Sequence, residues 1–310
     1  MSNTTVATDR AHTRSVAVTG ASGLIGAALS LALEGDGCAV VPLVRSARAG
    51  PGEIAWDPER GSIDREGLEG VDAVVHLAGE NIGQRWTPEV RRRIVESRVR
   101  GTRLLAETLA SLRTPPEVLV SASAVGYYGD RGDELLDESS SAGEDFLADV
   151  VRAWEEAAKP AASAGIRVVH PRFGLILSPD GGALARMLPA FRLGVGGRMG
   201  SGRQWMSWVT LDDAVDAIRY LIASPGLHGP INVTAPEAIT NEGFTRSLGR
   251  ALGRPTLLAI PAIALRLAFG EMAVETLLAS QRARPERLLG ARFAFRHPRL
   301  DDALKALLAP

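Results

Sequence analysis

The sequence predicts an α/β fold: a doubly wound parallel sheet with a smaller, mostly helical C-terminal lobe. Three observations carry this prediction. Short β-branched and apolar runs alternate with segments of helical period up to residue 170. Each run is apolar throughout, which is typical of parallel strands covered by helices on both faces. After Gly174 the pattern changes to glycine-rich loops and helices, which indicates the second lobe.

The predicted elements follow in order. Residues 1–14 show no periodicity and form a flexible arm. Ser15–Thr19 is a buried strand, and after a glycine turn Ala27–Glu34 continues as an apolar helix that the following glycines stop. β-Branched runs predict further strands at 38–44, 71–77, 118–122 and 166–170. Helical period predicts helices at 88–113, 146–163, 211–223 and 241–252. We therefore expect one nucleotide-binding domain at 15–253, including substrate-lobe insertions, and a C-terminal helical domain at 254–310. Leu257–Phe269 and Leu277–Leu289 are apolar enough to need a partner surface, so we expect both to pack on the nucleotide-binding domain.

Composition excludes several classes of protein. The chain has 310 residues, of which 35 are basic and 36 acidic, so no overall positive field points to nucleic acid. The single cysteine, Cys38, excludes a disulfide framework and a multi-cysteine zinc site, and His170 and His297 lack metal-ligand spacing. No uncharged apolar run reaches the ~18 residues of a membrane span, and the polar N-terminus does not resemble a signal peptide. We expect a cytoplasmic protein that binds a small molecule and could form a homodimer. We do not expect it to bind a metal, nucleic acid or a membrane.

The glycine turn predicts a dinucleotide site. Gly20, Gly23 and Gly26 lie between the first strand and the first helix. A phosphate needs bare backbone N–H groups, an approach free of Cβ atoms and a helix N-terminus aimed at it. We expect contacts from these glycines and from the intervening Ser22, Leu24 and Ile25. A tight turn with glycines for packing alone is the alternative.

The end of the second strand indicates which dinucleotide binds. NAD-binding proteins place Asp or Glu there to hold the ribose 2′-hydroxyl. This strand ends Leu43-Val-Arg-Ser46, without a carboxylate. A guanidinium suits a 2′-phosphate, so Arg45 and Ser46 predict NADP. A merely solvated Arg45 is the alternative.

Several motifs together resemble a known family. Thr19-Gly-Ala-Ser-Gly-Leu-Ile-Gly26, His76-Leu-Ala-Gly79 and Ser121-Ala-Ser-Ala-Val-Gly-Tyr-Tyr-Gly129 resemble the extended short-chain dehydrogenase/reductases. Gly79-Glu-Asn-Ile82, Gln204-Trp-Met-Ser-Trp208 and the C-terminal Gly270-Glu-Met-Ala273 are similar to its atypical branch, the epimerase family proteins. The resemblance covers about residues 15–309.

The resemblance implies an NAD(P)-binding Rossmann fold with further cofactor contacts. In that family the segment corresponding to Leu77, Ala78 and Gly79 lies under the adenine ribose and pyrophosphate. Glu80 and Asn81 would then reach the ribose or the substrate, or else form a helix-capping loop.

The acid/base pair usual in this group is absent. Its classical members use Ser or Thr after the fourth strand and a Tyr-x-x-x-Lys pair on the next helix. Here Ser123 occupies the serine position, but the helix reads Phe146-Leu-Ala-Asp-Val-Val-Arg-Ala-Trp-Glu155. The chain has two lysines, Lys159 and Lys305, and neither follows a tyrosine by four residues.

The remaining candidates for catalysis are Ser123 and Tyr127. Tyr127 is the nearest group in sequence that can exchange a proton, and Arg131, four residues on, could support a tyrosinate as a fixed charge. Tyr127 and Tyr128 could instead be loop anchors. Arg98 and Arg172 are other possible site residues, and the alternative for each is a helix-surface contact or a structural ion pair. The loop with Gly194–Gly202, Gln204 and Trp205 could be a lid or a seam between lobes.

Two functions fit these residues. One is an NADP-dependent oxidoreductase or epimerase that acts on a hydroxyl- or carbonyl-bearing, nucleotide-sugar-like molecule. The other is a non-catalytic NADP(H)-binding sensor or interaction module.

Overall fold

The computed structural model describes residues 13–45 and 49–309, so the predicted arm lies almost wholly outside the described residues. The strands are β1 (Ser15–Thr19), β2 (Ala39–Arg45), β3 (Ile54–Asp57), β4 (Ser62–Ile63), β5 (Ala73–His76), β6 (Val118–Ser121), β7 (Ser123–Ala124), β8 (Leu135–Leu136), β9 (Arg167–Phe173), β10 (Leu175–Ser178), β11 (Gly197–Met199), β12 (Trp205–Met206), β13 (Trp208–Thr210), β14 (Gly229–Val233), β15 (Ile239–Thr240), β16 (Leu258–Ile260) and β17 (Arg282–Ala283). The helices are α1 (Leu24–Gly35), α2 (Pro88–Ala110), α3 (Phe146–Glu156), α4 (Lys159–Ser163), α5 (Gly182–Arg192), α6 (Leu211–Ala223), α7 (Asn241–Leu252), α8 (Ala262–Phe269), α9 (Glu286–Gly290) and α10 (Leu300–Leu307).

A nine-stranded sheet forms the centre of the described chain. Its order is β14-β9-β6-β5-β1-β2-β3-β4, with β7 also pairing with β9, and every pair except β3–β4 is parallel. The order reverses between β1 and β5, and in doubly wound sheets ligands bind at such a switch point. The predicted fold class is confirmed.

Helices cover both faces of this sheet and bury its apolar strands. Leu29 of α1 and Ile218 of α6 pack on one face, together with Val16, and Leu105 of α2 packs with Val74 on the other. The helix that the sequence predicts at 146–163 is divided into α3 and α4. In the described part of the chain, no helix combines the length and apolarity needed to cross a membrane.

The C-terminal residues only partly follow the prediction. The sequence predicts that Leu257–Phe269 and Leu277–Leu289 pack on the nucleotide-binding domain. Ala283 and Leu288 are indeed buried, and β17 pairs with β8. The first segment is different, because Leu257 is 92% exposed and Leu265 is the buried residue of α8. The segment does contact the domain, because β16 pairs with β11 and Arg85 donates to the Leu267 carbonyl oxygen, but most of its apolar side chains face outward.

Candidate functional site

The glycine turn lies where the strand order reverses, and it leads into the open end of α1. The N-cap is Gly23, no side chain caps the helix, and no acidic residue lies in its first turn. Backbone N–H groups and the positive end of the helix dipole are therefore available to an anion. Ser22, exposed beside them, can add a hydroxyl.

The structure shows why glycine is required at this turn. A Cβ on Gly26 would lie 2.1 Å from the Gly20 carbonyl oxygen. Gly20 has φ +68°, and a Cβ there would lie 3.0 Å from the backbone of Leu77 and Ala78. The turn thus packs directly on the backbone after β5, and this close, side-chain-free surface fits a dinucleotide pyrophosphate.

A buried pair holds this backbone in place. The Thr19 hydroxyl accepts hydrogen bonds from the amides of Leu77 (3.0 Å) and Ala78 (3.1 Å). Its single proton is then available to His76 Nδ1, 2.7 Å away. Burial, with the nearby Arg98 charge, lowers the pKa of His76 to about 4, so the ring is neutral and accepts that proton. Thr19 and His76 therefore fix the ends of β1 and β5. We call the surface formed there by the glycine turn (Gly20–Gly26) and residues 77–80 the cradle.

The second strand and the loop after β5 supply the remaining predicted cofactor residues. Arg45 is the last residue of β2 and is exposed, while Ser46 lies outside the described residues. Gly79 is exposed beside the cradle. The Glu80 carboxylate accepts a hydrogen bond from Gln84 Nε2 (2.9 Å). The backbone amide of Glu80 donates to Ser97 Oγ (3.0 Å). The geometry brings the glycine turn and residues 77–80 together.

Arg98 reaches the cradle from α2. A Cβ on Gly79 would lie 3.4 Å from Arg98 Cζ, and the guanidinium donates to the Glu80 carbonyl oxygen at 3.0 Å. Its Cζ lies 5.0 Å from the Trp154 ring centroid. Burial lowers the pKa of Arg98 to about 10, which still leaves it charged at neutral pH. Arg98 is therefore a fixed cation directly beneath Gly79, and no surface ion pair is recorded for it in the described part of the chain.

Ser123 lies in a buried charged network. Its hydroxyl donates to Glu155 Oε1 at 2.6 Å. Arg172 binds both oxygens of the same carboxylate, with Nε–Oε1 and Nη2–Oε2 distances of 2.8 Å. Burial alone would raise the pKa of Glu155, but the two bonds from Arg172 outweigh it and the pKa lies below its ordinary value. Glu155 is thus an ionised acceptor for the Ser123 proton.

The two tyrosines have different environments. Tyr128 is fully buried, donates to Asn232 Oδ1 at 2.7 Å and accepts from Arg172 Nη1 at 3.2 Å. Burial raises its pKa to about 12, so it is an anchor rather than an acid or base. Tyr127 is partly exposed, and Arg172 Cζ lies 3.4 Å from its ring centroid.

The cation beside the tyrosines is therefore Arg172, not Arg131. Arg131 pairs with Glu134 at 2.7 Å and donates to the Ser141 carbonyl oxygen. Arg172 does form a structural ion pair, one of the two roles weighed for it, but the same pair also orders Ser123. The sequence reasoning missed Glu155 and Asn232; a glutamate ending the apolar face of α3 was the available signal for Glu155.

The described chain places no lysine in this network. Lys159 is exposed on α4 and pairs with Glu156, and Lys305 lies exposed on α10. Leu147 and Val151 of α3 are buried apolar residues. Within residues 13–45 and 49–309, no group of three His, Cys, Asp or Glu side chains could hold a metal ion.

The glycine- and tryptophan-containing loop is hydrogen-bonded to the C-terminal residues, as expected of a seam between lobes. The buried Gln204 donates through Nε2 to the carbonyl oxygens of Met199 and Leu277, both at 3.1 Å. The Trp205 amide donates to Ser280 Oγ at 2.9 Å, and its indole N–H donates to Asp133 at 2.8 Å. Both residues therefore tie residues 199–205 to the C-terminal lobe.

Comparisons with known proteins agree with this architecture. A model of the NAD dependent epimerase/dehydratase family matches residues 16–233, and a model of a domain of unknown function, DUF1731, matches residues 260–307. An epimerase family protein of Mycobacterium bovis is 47% identical over 290 residues, covering 93% of this chain and 96% of its own.

Two solved structures are similar over most of this chain. The crystal structure of human epimerase family protein SDR39U1 (isoform 2) with NADPH has a TM-score of 0.88 and 35% identity, covering 94% of this chain and 98% of that one. A nucleoside-diphosphate sugar epimerase from Corynebacterium glutamicum has a TM-score of 0.79 and 38% identity, covering 96% of this chain and 58% of that longer one.

Proposed function

Because the chain belongs to the NAD dependent epimerase/dehydratase family, we propose that it is an NADP(H)-dependent oxidoreductase or epimerase of hydroxyl- or carbonyl-bearing small molecules. The observation that carries this proposal is the 2.6 Å hydrogen bond from Ser123 to the ionised Glu155, at the serine position of the family motif. Because the Ser123 hydroxyl donates its own proton to a carboxylate, its oxygen is free to accept the proton of a bound alcohol.

The cofactor is NADP(H). The open end of α1 and the glycine turn would hold the pyrophosphate, Arg45 and Ser46 the 2′-phosphate, and Leu77–Glu80 the ribose side. The similar human protein was crystallised with NADPH, which supports this choice over NAD. When bound, the nicotinamide would supply or accept the hydride.

The proton would follow a two-step relay. The substrate hydroxyl donates to Ser123 Oγ while Ser123 donates to Glu155, so that proton loss from the substrate needs no tyrosinate. The low pKa of Glu155 makes it a weak base, and proton transfer becomes favourable only as the alcohol turns into a carbonyl. Arg172 holds the carboxylate in place throughout.

Tyr127 is the second candidate for proton transfer. Its ring is held under the Arg172 guanidinium, in the 3₁₀ turn that follows Ser123. In the relay mechanism Tyr127 orients the substrate oxygen, whereas in the alternative it donates the proton itself. A nucleotide-sugar-like substrate is suggested by the similar nucleoside-diphosphate sugar epimerase of Corynebacterium glutamicum.

A non-catalytic NADP(H) sensor is the second candidate function. The observation in its favour is the apolar face of α3, which presents the buried Leu147 and Val151 and no tyrosine or lysine. A sensor needs only the cradle. In a sensor the charged network would contribute to stability and have no catalytic role.

The experiment begins with molecules that remain bound through purification, identified by mass spectrometry and then assayed for NADPH-linked turnover. We expect Ser123→Ala and Glu155→Gln to lower turnover by the ~10²–10⁴ typical of lost acid/base help. In the folded protein both should leave NADPH affinity within about threefold, since neither touches the phosphates that dominate it. Turnover is therefore compared per NADPH-binding site, so that the lower stability of Glu155→Gln does not count as lost catalysis. Tyr127→Phe, which keeps the ring, should cost less than about tenfold in the relay mechanism.

Each outcome distinguishes the candidates. A larger loss in Tyr127→Phe than in Glu155→Gln would assign proton transfer to the phenol. Full turnover in a Ser123→Ala/Tyr127→Phe double variant would rule out this site. NADPH binding without turnover of any co-purified hydroxyl or carbonyl compound would favour the sensor.

A further inference from the structure

The segment from β16 through α8 is unusually exposed for so apolar a sequence. Leu257, Ile263 and Leu267 are 92%, 63% and 71% exposed, and all three residues of β16 are exposed. α8 has eight residues, of which Leu265 alone is buried. A folded chain does not gain from leaving such side chains in water, so this surface is built to be covered.

The neighbouring loop extends the same surface. β11 pairs in parallel with β16, with Gly197 opposite Leu258. A Cβ on Gly194 would lie 3.8 Å from Pro255, which places Leu193 and Val195 beside the start of this segment. Leu193 is 78% exposed and Val195 is 53% exposed. The apolar patch therefore comprises Leu193, Val195, Leu257, Leu258, Ile260, Ile263, Leu267 and Phe269.

The charges around the apolar patch are almost all positive. Residues 181–211 contain four arginines and no carboxylate, and residues 243–270 also contain four arginines and no carboxylate. Arg192, Arg254 and Arg266 are exposed within the patch segments themselves. The whole chain carries a formal charge of −1, so this is a strong local separation of charge.

Three of these arginines line one concave site. A shallow, open hollow of about 320 Å³ is lined by Arg246, Arg250 and Arg254, and also by Thr256, the residue before the exposed Leu257. Carboxylates at its rim pair with two of them: Glu242 with Arg246 at 3.7 Å and Asp301 with Arg250 at 2.8 Å. Arg254 is exposed, and no ion pair is recorded for it among the described residues.

We propose that the apolar patch and its arginines dock this protein onto an anionic lipid bilayer surface. Apolar side chains enter the boundary between headgroups and acyl chains, and the arginines bind lipid phosphates. A second copy of the chain fits less well, since a two-fold contact would bring the same arginines together, and the rim carboxylates Glu242 and Asp301 already pair with arginines of their own chain. With eight residues, α8 is too short to span a bilayer and would lie along it.

The test is co-sedimentation of the full chain with vesicles. One set contains phosphatidylcholine alone, and the other contains phosphatidylcholine and phosphatidylglycerol in roughly a two-to-one ratio. We expect binding to the anionic vesicles only, and its loss at ~1 M salt, where the Debye length is about 3 Å.

Matched variants separate the patch from general effects. Leu267→Glu should weaken vesicle binding by about tenfold or more, the loss of one buried leucine. Leu31→Glu, on α1 and also 71% exposed, should not change it. Arg266→Gln should weaken binding about fivefold, as each basic residue near the surface contributes. The control Arg103→Gln, an exposed arginine of α2, should have no effect.

Several results would overturn the proposal. These are equal binding of the protein to both kinds of vesicle, and no binding to either. The proposal would also fail if Leu267→Glu and Leu31→Glu weakened vesicle binding equally. A stable dimer that Leu267→Glu dissociates would show that a second copy covers the patch instead. Because none of the substituted residues lies in the cofactor cradle or the charged network, NADPH binding should persist in every variant, whichever function the site has.

Discussion

Replacing Glu155 by glutamine should strongly destabilise this protein, because it leaves Arg172 charged and uncompensated. The Arg172 side chain is 3% exposed and that of Glu155 is 14% exposed. Removing one partner of such a buried pair costs about 3–5 kcal/mol of unfolding free energy. Glu156→Gln is the matched control on the next residue, since its pair with Lys159 is 55% and 69% exposed and contributes about 1 kcal/mol at most.

The same pair predicts a dependence on pH. The folded-state pKa of Glu155 lies below its ordinary value of 4.5: burial raises it, but Arg172 lowers it further. The unfolded chain therefore takes up this proton first as the pH falls. The stabilisation is complete above the unfolded pKa and is lost as the pH falls through the folded pKa. The difference between wild type and Glu155→Gln should accordingly shrink in acid.

Urea unfolding followed by circular dichroism, from pH 7 to about 3, measures both effects. The double variant Glu155→Gln/Arg172→Met should be less destabilised than the sum of its single variants, because the stranded charge is gone. This account of the network would be refuted if Glu155→Gln lost no more unfolding free energy than Glu156→Gln. It would also be refuted if the difference in unfolding free energy between wild type and Glu155→Gln did not change with pH.

Three further predictions concern the cradle and the tyrosines. Arg45→Ala should reduce the preference for NADP over NAD by roughly ten- to a hundredfold, the value of a charged hydrogen bond; an unchanged ratio in calorimetric titrations would remove Arg45 from this role. Gly26→Ala should abolish NADPH binding, because its Cβ would lie 2.1 Å from the Gly20 carbonyl oxygen, whereas Gly35→Ala, with nothing within 4 Å, should bind normally. Tyr128→Phe should lower the free energy of unfolding by about 1–3 kcal/mol, because it leaves Asn232 Oδ1 unpaired. Tyr127→Phe should lower it by less, because the ring stays on Arg172. Equal losses of stability for the two variants in thermal unfolding would contradict the assignment of Tyr128 as the anchor.

The segments that a local pattern determines were predictable. The apolar run before Gly20, the spacing of Gly20, Gly23 and Gly26, and the helix after them follow from backbone sterics and short-range periodicity. α6 and α7 have the predicted bounds, Leu211–Ala223 and Asn241–Leu252. The absence of lysine from α3 is also a property of the sequence alone, and it was enough to show that the usual acid/base pair is missing.

Only the tertiary structure decided what replaces that pair. Ser123, Glu155 and Arg172 come from β7, α3 and β9, and they meet because Ser123 lies opposite Arg172 in the parallel pairing while α3 packs above both. Sequence distance favoured Arg131 as the partner of Tyr127, but strand register brings Arg172 there instead. In the same way, residues 193–195 and 257–258 join into one exposed surface only because β11 pairs with β16. Local periodicity determines which face of an element is apolar, whereas long-range pairing determines which side chains meet across elements and which apolar faces remain uncovered.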